Sequence, residues 1–254
     1  MSILRVVIVM TALTAVDAAD SVVSKPDNNN ASANTSAELS DFIVPFASDI
    51  RFGYSANMGD YYRSQNAGEG TDSQFIEHGL WVSYVRALSG PGRALSGRAE
   101  WRAEVGFLLS QAQVSNPNGS NGTLNTATLD LGIGPAWKIT ENHTSRLEIE
   151  LMPFAGIGYA DYENGYSSEF SGFRGETTVA ASGVCLEYGI KANLMWCWSN
   201  GWGAALHAGL VQRASSLEGE STTHWNNGQV SISNYNSDDV LTGVRFGLFV
   251  ARRF

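Results

Sequence analysis

The chain has 254 residues, a formal net charge of -9 and 43% hydrophobic residues. A nucleic-acid binder normally presents a basic face, so this balance argues against nucleic acid as a partner. Lysine occurs only at Lys25, Lys138 and Lys191, a scarcity foreign to ordinary soluble surfaces, whereas glycine, tryptophan and tyrosine are plentiful and suit β-structure with tight turns.

Residues 1–19 carry the three-part pattern of a secretory signal peptide: Arg5, an apolar run over 6–15, and small residues at Val16-x-Ala18, with cleavage expected after Ala18 or Ala19. The run is too short to span a bilayer comfortably, and no cysteine sits at the expected cleavage point, so a lipid anchor is not expected. Residues 20–47 are polar and low in complexity. They hold too little apolar surface to offset their ordering entropy and are expected to be a flexible segment. Asn30-Ala31-Ser32 and Asn34-Thr35-Ser36 fit a sugar-acceptor pattern, which Asn/Ser-rich linkers match by chance.

Over 48–254 the residues alternate with the period of two that marks a strand buried on one face. First come Ile50, Phe52, Tyr54 and Ala56, then Leu80, Val82 and Tyr84, where Trp81 and Val85 blur the alternation. In 98–109, Trp101, Ala103, Val105, Phe107 and Leu109 oppose Arg98, Glu100, Arg102, Glu104 and Gly106. Next, Leu129, Leu131, Ile133 and Trp137 oppose Asp130, Gly132, Gly134 and Lys138. Leu147, Ile149, Leu151, Ile157 and Tyr159 oppose Arg146, Glu148, Glu150, Gly156 and Gly158. Leu186, Tyr188, Ile190, Leu194, Trp196 and Trp198 oppose Glu187, Lys191 and Asn193. Trp202, Leu206 and Leu210 oppose His207, and Val244, Phe246, Leu248, Val250 and Phe254 oppose Arg245 and Gly247. The pattern predicts eight strands.

The connections at 89–96, 140–145 and 199–201 are short or moderate, and longer polar stretches at 58–73, 111–122, 161–176 and 215–237 alternate with them. Such asymmetry is that of an up-and-down membrane barrel. A soluble barrel would turn the same apolar face inward. Trp101, Trp137, Trp196, Trp198 and Trp202 decide between the two, because all share the apolar parity and gather near the short joins. Tryptophan favours a membrane–water boundary, and these five are expected to form an interfacial girdle. The expected fold class is therefore all-β: an eight-stranded antiparallel up-and-down transmembrane barrel over 48–254.

On these residues, the alternation, the loop asymmetry and the closing stretch "VRFGLFVARRF", the chain resembles the small eight-stranded outer-membrane β-barrels of Gram-negative bacteria, the OmpA, OmpX and OmpW type. The resemblance implies a bacterial outer-membrane location with both termini periplasmic, and outer-membrane lipids as partners. It also implies that the barrel assembly machinery recognises Phe246, Leu248, Val250 and Phe254. Arg252 departs from that plan, although its head group can snorkel to the interface.

Arg98, Glu100, Arg102, Glu104, Asp130, Arg146, Glu148, Glu150, Glu187, Lys191 and Arg245 fall on the inward parity. Unpaired charges away from water are costly, so a lumen ion-pair network is expected. It would either plug the barrel or line a narrow gated path for ions or small solutes. Cys185 and Cys197 sit twelve positions apart on one strand, beyond disulfide or shared-metal reach. No catalytic motif, cofactor site or metal site is expected. A lipid-hydrolase reading has only His207 to start from, with no serine or acid tied to it by spacing. The long loops mix Tyr, Ser, Asn and Gly, a composition suited to an extracellular ligand and equally to a solvated loop. The expected roles are structural or surface-interactive, with a narrow channel as the alternative.

Overall fold

The computed structural model describes residues 48–65, 71–88, 99–115 and 120–254. The signal-peptide and flexible-segment expectations for residues 1–47, and Arg98, lie outside them. Eight strands follow in order: β1 (Ser48–Gln65), β2 (Thr71–Ala87), β3 (Ala99–Ser115), β4 (Asn121–Glu141), β5 (Ser145–Phe170), β6 (Phe173–Trp198), β7 (Trp202–Trp225) and β8 (Val230–Arg253). Each pairs with the next, and β8 pairs antiparallel with β1 to close the ring. The fold is thus an all-β, eight-stranded antiparallel up-and-down barrel.

The register fixes the tilt. Starting from Phe52, the row of partners runs through Val82, Phe107, Leu129, Ile157, Leu186, Ala214 and Val240 and returns to β1 at Tyr62, ten residues beyond its start. A shear of that size tilts the strands by roughly 40° and leaves an interior that side chains can fill. At one end, hereafter the turn end, lie the joins 142–144 and 199–201, and the amide of Phe254 donates to the Ser48 carbonyl at 2.9 Å. The opposite, hairpin end carries the joins at 171–172 and 226–229.

The hairpin end departs from the sequence expectation. Most of the stretches expected as long loops are strand: β1 continues through 58–65, β5 through 161–170, and β7 and β8 meet across only residues 226–229. A two-residue turn joins β5 to β6, with Ser171 (φ 51°) and Gly172 (φ 80°) both left-handed, the geometry that matches strand twist. These segments look like loops because the polarity of the alternation reverses along each strand. Near the turn end apolar residues face out and charged ones face in. Beyond the middle, Asp161, Glu163, Glu218 and Glu220 face out, while Tyr162, Val179, Ala181, Leu217, Tyr235 and Leu241 are buried inside. Trp81 and Val85 also point inward, buried at 8% and 0% exposure, which explains the blurred parity of β2.

Because these extensions are laddered, backbone amides across 161–170 and 215–225 should exchange with solvent slowly, on the timescale of the barrel rather than of a loop. Hydrogen–deuterium exchange read by NMR checks this, and fast exchange at both segments would contradict the strand extension.

Candidate functional site

The lumen holds the densest concentration of charge, arranged in tiers set by strand register. Near the turn end, Glu150 of β5 lies at the centre. Arg51 donates to both its oxygens, Nη1 to Oε2 at 2.6 Å and Nη2 to Oε1 at 2.7 Å, while its Nε donates to Asp49 at 2.7 Å. Arg102 pairs with Glu150 and reaches Glu148 at 2.9 Å and Glu100 at 3.0 Å. Asn193 Nδ2 donates to Glu150 at 3.0 Å, and Arg253 closes the tier on Glu148 at 3.0 Å. At the mouth, Arg146 pairs with Glu141 and reaches Glu148 at 3.4 Å. Partial burial pushes the Glu141 carboxyl up, but hydrogen bonds from Lys138 and Arg146 outweigh it and hold the group below the usual carboxylate range.

A second tier forms farther along the barrel. Glu187 of β6 bridges Arg213 and Arg245, the latter at 2.7 Å, and Arg213 also pairs with Glu77. Asn57 and Ser110 donate to Glu77 at 2.9 Å and 2.6 Å. Between the tiers, Lys191 donates to Glu104 at 2.9 Å and lies over the rings of Trp81 and Phe154, 4.7 Å and 5.3 Å from their centroids. His207 is not set up as a base beside a nucleophile: its Nδ1 lies 2.9 Å from Asn193 Oδ1 and its ring packs near Trp81. Since the Asn193 amide nitrogen donates to Glu150, its oxygen accepts, and His207 Nδ1 carries the proton. Cys185 and Cys197 are free and buried.

Toward the hairpin end an apolar cluster that includes Tyr61, Phe75, Val114, Leu124, Tyr162 and Leu217 fills the bore. Arg63 crosses it, paired with Asp239 at 2.6 Å and stacked 3.7 Å from the Tyr162 ring centroid. The hydroxyl of Tyr61 donates to the same carboxylate. A small cavity of about 20 Å³ is edged by Asp130, Lys191, His207 and Arg245, and a site of that size holds one water at most.

Of the sequence-derived lumen residues, Arg102, Glu104, Asp130, Glu148, Glu150, Glu187, Lys191 and Arg245 are buried inside, and Glu100 and Arg146 are partly buried near the mouth. Asp130 is a correction to the expected network. It is 3% exposed, forms no ion pair among the described residues, and its Oδ1 has no hydrogen-bond partner. The neighbouring cations are already engaged, Lys191 by Glu104 and Arg245 by Glu187. The sequence reasoning missed Asp49, Arg51, Arg63, Glu77, Arg213, Asp239 and Arg253. Asp49 and Arg51 alternate with Ile50 and Phe52, and Glu77 with Ile76 and His78, so inward parity was available as a signal for these three.

On the outer face Trp101, Trp196, Trp198 and Trp202 are exposed and Trp137 is half-buried, all near the turn end. Phe246, Leu248, Val250 and Phe254 also face out. Arg252 bends to the rim, where its guanidinium lies 5.3 Å from the Trp202 ring centroid and donates to the Asn200 carbonyl at 2.6 Å.

These features define a closed antiparallel barrel with an ion-paired lumen and an apolar outer belt. No protein-family model and no curated protein matches the chain. Among solved structures, the outer membrane protein OprG from Pseudomonas aeruginosa is 8% identical with a TM-score of 0.34, over 84% of this chain and 98% of that one. Neisserial surface protein A is 13% identical with a TM-score of 0.29, over 80% and 97%. A major outer membrane protein from Thermus thermophilus is 16% identical with a TM-score of 0.32, over 81% and 99%. At such TM-scores the architecture rests on this chain's own strand pairing.

Neutralising Glu150 removes the carboxylate that Arg51 and Arg102 share, leaving Arg51 with Asp49 and Arg102 with Glu148 and Glu100. Glu150→Gln should therefore destabilise the barrel by roughly 1–3 kcal/mol, less than breaking an isolated buried pair from one side. Equilibrium urea unfolding of the protein in lipid vesicles measures it.

Proposed function

We propose that the chain is an outer-membrane barrel with a sealed lumen, whose role is structural or surface-interactive. The observation that carries this reading is the distribution of polarity. Leu131, Leu210 and Leu248 are 60%, 61% and 62% exposed on the outer wall, while two tiers of charge are buried inside. Water would favour the opposite arrangement; a hydrocarbon environment favours this one. On β5 the outward apolar run extends from Leu147 to Tyr159, and at strand rise and tilt it is roughly 30 Å tall, enough for a membrane core.

The turn end, with its tryptophans, faces the periplasm in this reading, and both Ser48 and Phe254 lie there. Phe246, Leu248, Val250 and Phe254 are the stripe offered to lipid and to the barrel assembly machinery. The hairpin end stands in external water, where its acidic outer face and tight turns present a rigid surface to other molecules. The ion-pair tiers and the apolar cluster support a plug rather than a conducting path.

Reconstituted into planar bilayers, the protein should show no reproducible unit conductance; steps of constant size would establish the channel instead. Tryptophan emission should be quenched more strongly by lipids brominated near the head group than by lipids brominated at the chain end. The reverse order would remove the interfacial placement of Trp101, Trp137, Trp196, Trp198 and Trp202.

A further inference from the structure

A groove of about 600 Å³ crosses the outer wall over β6, β7, β8 and β1. Its floor is a single register row, Gly189, Val211, Gly243 and Gly59, each the partner of the next. Three of the four lack a side chain, and all three are partly exposed although they sit on the inward parity. The wall is one backbone thick there. A Cβ on Gly59 would run into the Thr242 carbonyl, and one on Gly189 would lie 3.0 Å from the Phe154 ring inside the barrel.

The two lips differ in chemistry. On the turn-end side the bordering row is Ile190, Leu210, Val244 and Met58, all apolar and exposed. On the hairpin-end side the matching row is Tyr188, Gln212, Thr242 and Asp60, every member with a polar atom. The groove therefore sets an apolar row beside a hydrogen-bonding one within the outer face, which turns largely apolar again at the next outward row, Leu186, Ala214 and Val240.

We propose that this groove seats one amphiphilic lipid, with an acyl chain against Ile190, Leu210, Val244 and Met58 and its head group on Asp60, Thr242 and Gln212. The inference rests on the membrane reading above and adds a ligand to it. Asp60 selects the head group. Its carboxylate attracts an ammonium group and accepts from hydroxyls, and it repels a head group whose only charge is a phosphate. The matching class is a zwitterionic lipid with a free ammonium, such as phosphatidylethanolamine.

The test uses the full chain, folded in detergent micelles, with phosphatidylethanolamine or phosphatidylglycerol added and retention read by native mass spectrometry. One phosphatidylethanolamine should be retained, about tenfold more tightly than phosphatidylglycerol. Leu210→Trp, which fills the groove from its lip, should abolish retention, while Leu206→Trp, on the same strand below the groove, should leave it intact. Asp60→Asn should erase the preference between the two lipids. Equal retention of both lipids by the unaltered chain, or undiminished retention by Leu210→Trp, would overturn the site. Heat-dependent gel mobility confirms that each variant is folded. A barrel that fails to insert into liposomes would defeat the membrane reading, whereas one that inserts without lipid preference defeats the groove alone.

Discussion

A ring of eight strands with a shear of ten residues encloses a bore about as wide as its own facing side chains, and every inward residue must find its partner within it. Glu150 shows the consequence most plainly. It accepts from Arg51 on β1, Arg102 on β3 and Asn193 on β6, so one carboxylate ties together strands that share no ladder with one another. Glu187 binds Arg213 and Arg245 of the consecutive strands β7 and β8, and Arg213 carries the link across the bore to Glu77 of β2. Such bridges are costly to desolvate and need not add net stability over an apolar core. Their effect is on register: a one-residue slip of any strand would turn its charges toward the outer wall.

The second organising feature is the reversal of polarity along each strand. Where the outer face is apolar the bore is charged, and where the outer face is acidic the bore holds Tyr162, Leu217, Leu241 and their neighbours. Both halves obey one rule, that each face matches its surroundings. Arg63 lies among these rings, its charge answered by Asp239 and its plane stacked on Tyr162. The middle of the bore, with Lys191 over two rings and Asp130 without a direct partner, is the least tightly matched level. It is also where the small cavity lies.

Glycine serves the wall in two distinct ways. At Gly172, Gly201 and Gly228 it supplies the left-handed backbone of the turns. At Gly59, Gly189 and Gly243, on the inward parity, it removes side-chain bulk where a Cβ would meet a carbonyl of the neighbouring strand.

Strand number, the apolar outer face, the tryptophan end and eight of the inward charges were legible from alternation alone, because a period of two assigns every residue to a face once one face is known. Alternation says nothing about how far a strand continues when the polarities exchange faces, and the stretches from 161 to 176 and 215 to 237 therefore looked like loops. Pairing within the lumen was equally out of reach. Arg51 and Glu150 are ninety-nine positions apart in sequence, and only closure and shear bring them together. By itself the sequence determined which side of the wall each residue takes; the tertiary structure decided which partner it meets there, because partners across a closed bore are set by register around the whole ring.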